Sequence, residues 1–330
     1  MMQGRIKYLD MARCIALLWI VGFWHLQGSL TNDLSFWGDM DITCIMVGLF
    51  MFLSGFFMSK YRFDGTWKSF FSFMQKRFKR FYILYMIATI LFFGIGYFGE
   101  KWMVVFTTLT ALSTYILPQP LTLWFISMLF SFYFVTPFIM KHNIYYASSS
   151  AFLFFMLGYT LHNLLPGGID YRFFWCFPLY CLGLYSGRRK WLIELLRRKV
   201  WGGIFTVLLF LVFLALYVIP IQQFPVVRHL HICILPIGIG CVLFYSYLCV
   251  SYLPSVNRIV EPLAYCSMSA YLFHRPIYLL LSTICQYWRI DLPPLITMCL
   301  FFSICIFCSY LIQIGYDRAI SKVTKNLRVK

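Results

Sequence analysis

The chain has 330 residues, of which 61% are hydrophobic, 21% are aromatic and only 12% are charged. Soluble domains are roughly 45–50% apolar and about 25% charged, so this composition excludes an ordinary cytosolic enzyme and a disordered chain. The formal net charge of +17 fits either a nucleic-acid-binding protein or a membrane protein with basic cytoplasmic loops. Twelve cysteines lie mostly in apolar runs without zinc-site spacing, so we expect no metal site and no disulfide framework.

Apolar segments of membrane-spanning length recur along the chain, and a transmembrane helix needs roughly 20 such residues. We predict ten spans, at 9–29, 40–59, 82–99, 122–140, 146–165, 172–187, 201–219, 231–252, 262–287 and 293–317. A further run at 102–117 is shorter and rich in Thr and Ser, so hydropathy alone leaves its crossing open. The predicted fold class is all-α, a single polytopic membrane domain over residues 1–330.

The positions of Lys and Arg decide between ten and eleven crossings. With ten spans, 22 of the 28 Lys and Arg residues fall on the side that holds both termini, and 4 fall on the opposite side. An additional crossing at 102–117 would move the basic cluster at 188–199 and the C-terminal tail across the membrane. The positive-inside bias therefore predicts ten spans with both termini cytoplasmic, and it explains the net charge without nucleic acid. The first segment lacks a small-residue cleavage site, which favours a retained span over a signal peptide.

The first predicted span contains three ionisable residues, which are costly at membrane depth and therefore candidates for function. Asp10 and Arg13 are three residues apart and share a helical face, where they either form an ion pair that fixes the helix end or belong to a site. His25 lies about 18 Å further along a regular helix, in the outer half of the span. The structural alternative for His25 is an interfacial histidine beside Trp24.

The ninth predicted span carries His274 and Arg275 near the membrane midplane, followed by Pro276. Exposing adjacent His and Arg side chains to lipid costs free energy, so we expect them to face an interior cavity. The structural alternative is an arginine that pairs with a carbonyl or a carboxylate. In the second span, Ser54 and Gly55 either allow close helix packing or contribute to a site.

A basic cluster at 76–80 precedes the third predicted span. Such clusters usually fix topology or attract anionic lipids, but arginine forks also bind phosphates. The sequence lacks a phosphate-binding loop, a nucleophile elbow and a His-Glu-x-x-His motif. These features together indicate a membrane transferase or a transporter with a buried cavity that contains His and Arg.

Six segments, taken in chain order, resemble motifs of the acyltransferase-3 family of integral membrane acyltransferases. They lie at 8–25, 50–58, 77–82, 123–127, 178–184 and 267–276. The resemblance implies transfer of an acyl group, usually acetyl, from cytoplasmic acyl-CoA to a hydroxyl of a lipid-linked sugar, polysaccharide or glycolipid of the cell envelope. It also implies a multi-pass protein of the bacterial inner membrane, in contact with membrane lipids and with polysaccharide-assembly partners.

The resemblance assigns roles to the candidate residues. The first-span histidine, proposed as catalytic in the family, corresponds to His25, and acetyl-CoA is the expected co-substrate, without a metal. We expect the catalytic residues to be Asp10, His25, His274 and Arg275. We expect the residues that bind acyl-CoA to be Arg13, Ser54, Arg77 and Arg80. His25 acts either as general base or as a nucleophile that forms an acetyl-histidine, and Arg275 or His274 stabilises the oxyanion.

One departure from the family pattern concerns the first span. The family usually has ten residues between its arginine and its histidine, whereas eleven separate Arg13 from His25. Twelve steps of 100° place the two side chains about 120° apart on a regular helix. A one-residue π-bulge between them would restore the alignment, and such bulges favour functional sites. The alternative is that Arg13 or His25 does not correspond to the family residue.

The sequence is also compatible with two other classes of function. A transporter of a glycolipid, sugar or anion would use the same cavity without chemistry and would not bind CoA. A non-catalytic assembly subunit would tolerate substitution of His25 and Arg77.

Overall fold

A computed structural model of the protein describes residues 6–26, 40–96, 101–116, 120–140, 144–165, 167–189 and 225–329, with the isolated positions 194, 203, 204 and 207. Every regular element in these ranges is helical, which confirms the predicted all-α class. The α-helices are α1 (Lys7–Leu17), α2 (Met40–Met58), α3 (Trp67–Arg77), α4 (Ile83–Gly94), α5 (Trp102–Leu109), α6 (Trp124–Ile139), α7 (Ile144–Leu164), α8 (Phe173–Arg189), α9 (Pro225–Tyr252), α10 (Asn257–Tyr287) and α11 (Pro294–Val329).

The predicted spans agree with these helices in position. Each predicted span overlaps a helix, except 201–219, of which the structure describes only residues 203, 204 and 207. Two described stretches, Leu235–Tyr252 and Pro294–Val323, are both long and apolar enough to cross a membrane, and Ile42–Met58 and Trp124–Ile139 are shorter apolar helices. The number of spans and the side of the termini stay predictions.

The ambiguous run at 102–117 forms only the short helix α5. Its 8 residues rise about 12 Å, well short of the roughly 30 Å hydrocarbon core. The helix ends because the chain turns there, and Ala111 adopts a left-handed conformation with φ of 57°. The hydroxyl of Thr108 donates to the carbonyl of Val104 instead of facing outward. This segment therefore lacks the length to cross as a helix.

The first of two compact units comprises Met1–Trp24, Thr31–Lys60 and Pro178–Ala264. Within it, α1, α2 and α9 pack against one another. Helices α2 and α8 meet backbone to backbone: a Cβ on Gly55 would lie 2.1 Å from the carbonyl oxygen of Tyr180, and one on Gly183 would lie 2.0 Å from that of Phe52. Glycine at both positions is what permits this approach, so the close-packing interpretation of the second-span motif is correct for Gly55.

The second compact unit comprises His25–Leu30, Tyr61–Phe177 and Tyr265–Lys330. Helix α3 begins after Thr66, whose side chain accepts a hydrogen bond from the backbone N–H of Ser69 at 3.1 Å. The backbone and side chain of Thr66 donate in turn to the carboxylate of Asp64, and these bonds lower the pKa of Asp64. This cap fixes where the basic helix α3 starts.

Candidate active site

A π-helical segment, Leu18–Trp24, continues α1 and leads directly to His25. It lies between Arg13 and His25, where a π-bulge would restore the family alignment of the two residues. A π turn holds more residues than an α turn, so the segment can absorb the extra residue in this span. Of the two alternatives for this span, the π-bulge therefore has a structural counterpart in the helix.

His25 lies against His274 of α10 in the second compact unit. The two imidazole rings are stacked, with centroids 4.7 Å apart and an interplanar angle of 8°. His274 is fully buried, whereas His25 is half-buried. The structure thus brings together two histidines from opposite ends of the sequence, and we call them the imidazole pair.

Hydrogen bonding determines which nitrogen of His274 carries the proton. Its Nδ1 lies 2.8 Å from the carbonyl oxygen of Tyr271, and because a carbonyl only accepts, Nδ1 must be the donor. In the neutral ring, Nε2 then carries the lone pair. This Nε2 atom is buried and has no hydrogen-bond partner among the residues that the structure describes. The ring of Tyr278 packs edge-on against the imidazole at 5.8 Å and helps to hold its orientation.

Arg275 completes the group of candidate residues around the imidazole pair. Its side chain is half-buried, and its positive charge interacts with both His25 and His274. A guanidinium has only donors and remains charged in proteins. The arrangement therefore combines imidazole nitrogens that can accept a proton or hydrogen bond with a cation that can stabilise an anion.

Of the predicted phosphate-binding arginines, Arg77 immediately precedes a second π-helical segment, Phe78–Tyr82, and Arg80 lies within it. We call residues 77–82 the basic turn. The guanidinium of Arg77 lies over the ring of Phe73 at 5.1 Å, and that of Arg80 lies over the ring of Phe81 at 5.2 Å. The hydroxyl of Tyr316 donates to the carbonyl of Lys79 within the turn. The aromatic rings contact the two guanidinium groups, and the hydrogen bond from Tyr316 holds the backbone of the turn.

The comparison with protein families decides the assignment. The sequence model of an acyltransferase domain matches residues 6–314, nearly the whole chain. The chain belongs to the acyltransferase-3 family. This match confirms the resemblance seen in the six motifs. No match was found among curated proteins or among solved structures.

Arg13 lies in the first compact unit with Asp10. Their side chains form an ion pair, with Arg13 Nη1 3.9 Å from Asp10 Oδ1. The guanidinium also lies 5.0 Å from the ring centroid of Phe57. The ion-pair interpretation of these residues therefore has direct geometric support. Ser54 is partly buried on α2 of the same unit, beside the Gly55 contact.

A further polar cluster in this acyltransferase-family chain was not predicted. Arg172 Nε donates to both carboxylate oxygens of the buried Asp170, at 2.8 and 3.0 Å, and the guanidinium lies 3.7 Å over the ring of Trp124. The hydroxyl of Tyr271, one turn before His274, donates to the carbonyl of Thr122 at 2.9 Å. The Tyr271–Thr122 bond connects the family segment at 267–276 on α10 with the residue that precedes the family segment at 123–127, where α6 starts.

A short Asp-x-Arg pattern in the sequence marks this cluster. Asp170 and Arg172 are separated by one residue at the start of the sixth predicted span, and Trp124 belongs to the segment at 123–127 that resembles a family motif. An Asp-x-Arg pair at the edge of a span is the feature that would have found the cluster.

Proposed function

We propose that the protein transfers an acetyl or other short acyl group from cytoplasmic acyl-CoA to a hydroxyl of a cell-envelope sugar, polysaccharide or glycolipid. The observation that carries the proposal is the imidazole pair beside Arg275, in a chain that belongs to an acyltransferase family. We further propose a multi-pass protein of the plasma membrane with ten spans and cytoplasmic termini, which works with polysaccharide-assembly partners.

The proposed reaction uses His25 as general base. Neutral His25 removes the proton of the acceptor hydroxyl while its oxygen attacks the thioester carbonyl. The carbonyl oxygen becomes an oxyanion, which the guanidinium of Arg275 stabilises. The tetrahedral intermediate then breaks its carbon–sulfur bond, the new ester forms, and the CoA thiolate takes the proton from the imidazolium of His25.

The geometry of His274 bears on which residue stabilises the oxyanion. The only proton of neutral His274 is on Nδ1, which is engaged by the carbonyl of Tyr271. His274 therefore has no donor to offer, and Arg275 is the better candidate for this role. An acetyl-His25 intermediate is the competing route, in which labelled acetyl would remain on the protein after a rapid quench without acceptor.

The direct test measures release of free CoA by the purified protein in detergent, with labelled acetyl-CoA and a membrane glycolipid extract. Release that requires the extract, together with label in the glycolipid fraction, is the expected result. Flux of a glycolipid, sugar or anion without CoA binding would instead establish the transporter. Neither release nor binding of acetyl-CoA at millimolar concentration would overturn the proposal.

The basic turn is proposed to bind the phosphates of acyl-CoA. Replacing Arg77 with alanine should raise the KM for acetyl-CoA about 10–100-fold with little change in kcat, since a hydrogen bond to a charged group contributes roughly 1.5–3 kcal/mol. Steady-state kinetics at varied acetyl-CoA check this result. Arg289→Ala removes an exposed arginine after α10 and should leave KM unchanged. An unaltered KM in Arg77→Ala would remove this arginine from the binding site.

A further inference from the structure

We infer that the protein binds one anionic phospholipid of the cytoplasmic leaflet in a groove beside the basic turn. The groove, which we call the α3 groove, lies in the second compact unit and is lined by residues 68, 71, 72, 74, 75 and 78 and by Phe130 of α6. The inference rests on the proposed membrane placement. It goes beyond the proposed acyl transfer, because this lipid is neither the acyl donor nor the acceptor.

The α3 groove offers an apolar surface of the size that a lipid chain needs. Its volume is about 570 Å³, within the roughly 300–1,000 Å³ of ligand pockets, and it is open along one side. Phe71, Met74, Phe78 and Phe130 supply its apolar lining, and the side chains of Phe71 and Phe78 are 64% and 41% exposed. Exposed apolar side chains that line a groove are typical of a binding surface. In a membrane, the apolar group that fills such a surface is an acyl chain.

A polar stripe runs along one edge of the same groove. Lys68, Ser72 and Gln75 are spaced by four and three residues and therefore share one face of α3. Among the described residues, Lys68 forms no ion pair, so its ammonium is available to a ligand. The ammonium can donate to a phosphate, and the hydroxyl and the amide can donate to the ester carbonyls that join acyl chains to glycerol. This combination of polar and apolar linings fits a phospholipid.

The direction and length of the α3 groove fit one leaflet. Helix α3 leads through the basic turn into α4, which overlaps the third predicted span, so Phe78 marks the membrane end and Lys68 the cytoplasmic end. The ring of Phe70 packs 5.3 Å from that of Phe134, which places α3 beside the later half of α6. Lys68 and Phe78 are ten residues apart, about 15 Å along a helix and about half of the roughly 30 Å hydrocarbon core. The phosphate then lies at Lys68 and the acyl chain extends towards Phe78.

The charge around the groove favours an anionic lipid over a zwitterionic one. Residues 60–80 contain seven Lys and Arg residues and one acidic residue, Asp64. The carboxylate of Asp64 accepts hydrogen bonds from the backbone and the hydroxyl of Thr66. Basic side chains beside a membrane attract anionic headgroups. Phosphatidylglycerol is therefore the expected ligand, in preference to phosphatidylcholine with the same acyl chains.

Native mass spectrometry of the purified protein in detergent tests the inference, with phosphatidylglycerol or phosphatidylcholine added at matched concentrations. Wild type should retain one phosphatidylglycerol with at least about fivefold higher affinity than phosphatidylcholine. Lys68→Ala should lower the affinity for phosphatidylglycerol about fivefold and remove the preference between the two lipids. Phe71→Ala should lower the affinity for both lipids about tenfold, since it removes apolar surface that the acyl chain covers. Both side chains are exposed, so thermal unfolding should be unchanged.

Two positions on α11 provide matched controls. Lys322 is an exposed lysine, and Phe307 is 63% exposed, so Lys322→Ala and Phe307→Ala should retain phosphatidylglycerol as wild type does. Equal affinity of wild type for the two lipids, or the same loss in the control variants, would overturn the inference. Displacement of the lipid by acetyl-CoA would also overturn it and assign the groove to the acyl donor. Because binding is measured without transfer, retained lipid in a protein that releases no CoA would contradict the proposed function alone.

Discussion

Replacing His25 with alanine is expected to abolish acyl transfer while the protein remains folded in the membrane. General-base catalysis contributes typically about 10²–10⁴-fold, so the residual rate should lie at least two orders of magnitude below wild type. The substitution removes the proton acceptor but leaves Arg275 and the basic turn in place. Binding of acetyl-CoA should therefore persist when CoA release is lost, and both can be measured on the same purified sample.

His162 provides a matched histidine control for this experiment. It lies on α7, and its Nδ1 lies 3.2 Å from the backbone nitrogen and 3.1 Å from the carbonyl oxygen of Ile169, away from the described contacts of the imidazole pair. His162→Ala should retain transfer, with any loss confined to stability. Full activity of His25→Ala would remove His25 from the mechanism, whereas loss of acetyl-CoA binding in that variant would indicate a binding role instead of proton transfer.

The part of the site that was predictable from sequence depends on local periodicity. The extra residue between Arg13 and His25 violates the 100° repeat of one helix, and a π segment occupies that interval. The bounds of α2 and α6 likewise follow from apolar runs that end at polar residues. Such arguments need only the order of residues along a single element.

Contacts between distant helices were harder to predict from the sequence. His25 and His274 were each marked as costly at membrane depth, but their stacking depends on how distant helices pack. Asp170 was missed because a short Asp-x-Arg pair in a loop is usually solvated, and only the structure shows that this carboxylate is buried under Arg172. One sequence offers no periodic signal for such long-range pairs.

The contact between α2 and α8 leads to the second large expected effect. Gly183→Ala should lower the free energy of unfolding by about 3 kcal/mol, the upper end of the usual cost of overpacking. The new Cβ would lie 2.0 Å from the carbonyl oxygen of Phe52 and 3.0 Å from the backbone N of Phe56. Because these are backbone atoms, no side chain can rotate away, and the two helices must separate.

Gly315→Ala is the matched control, since it makes the same chemical change in the interior of a helix. A Cβ on Gly315 meets no described atom within 4 Å, so only the helix propensity changes, and alanine should stabilise α11 by roughly 0.5–1 kcal/mol. Thermal unfolding in detergent compares the two variants. Because both substitutions gain the same helix propensity, the difference in stability between the two variants measures the cost of packing a Cβ at Gly183 against α2. A Gly183→Ala protein as stable as Gly315→Ala would show that these helices do not meet backbone to backbone.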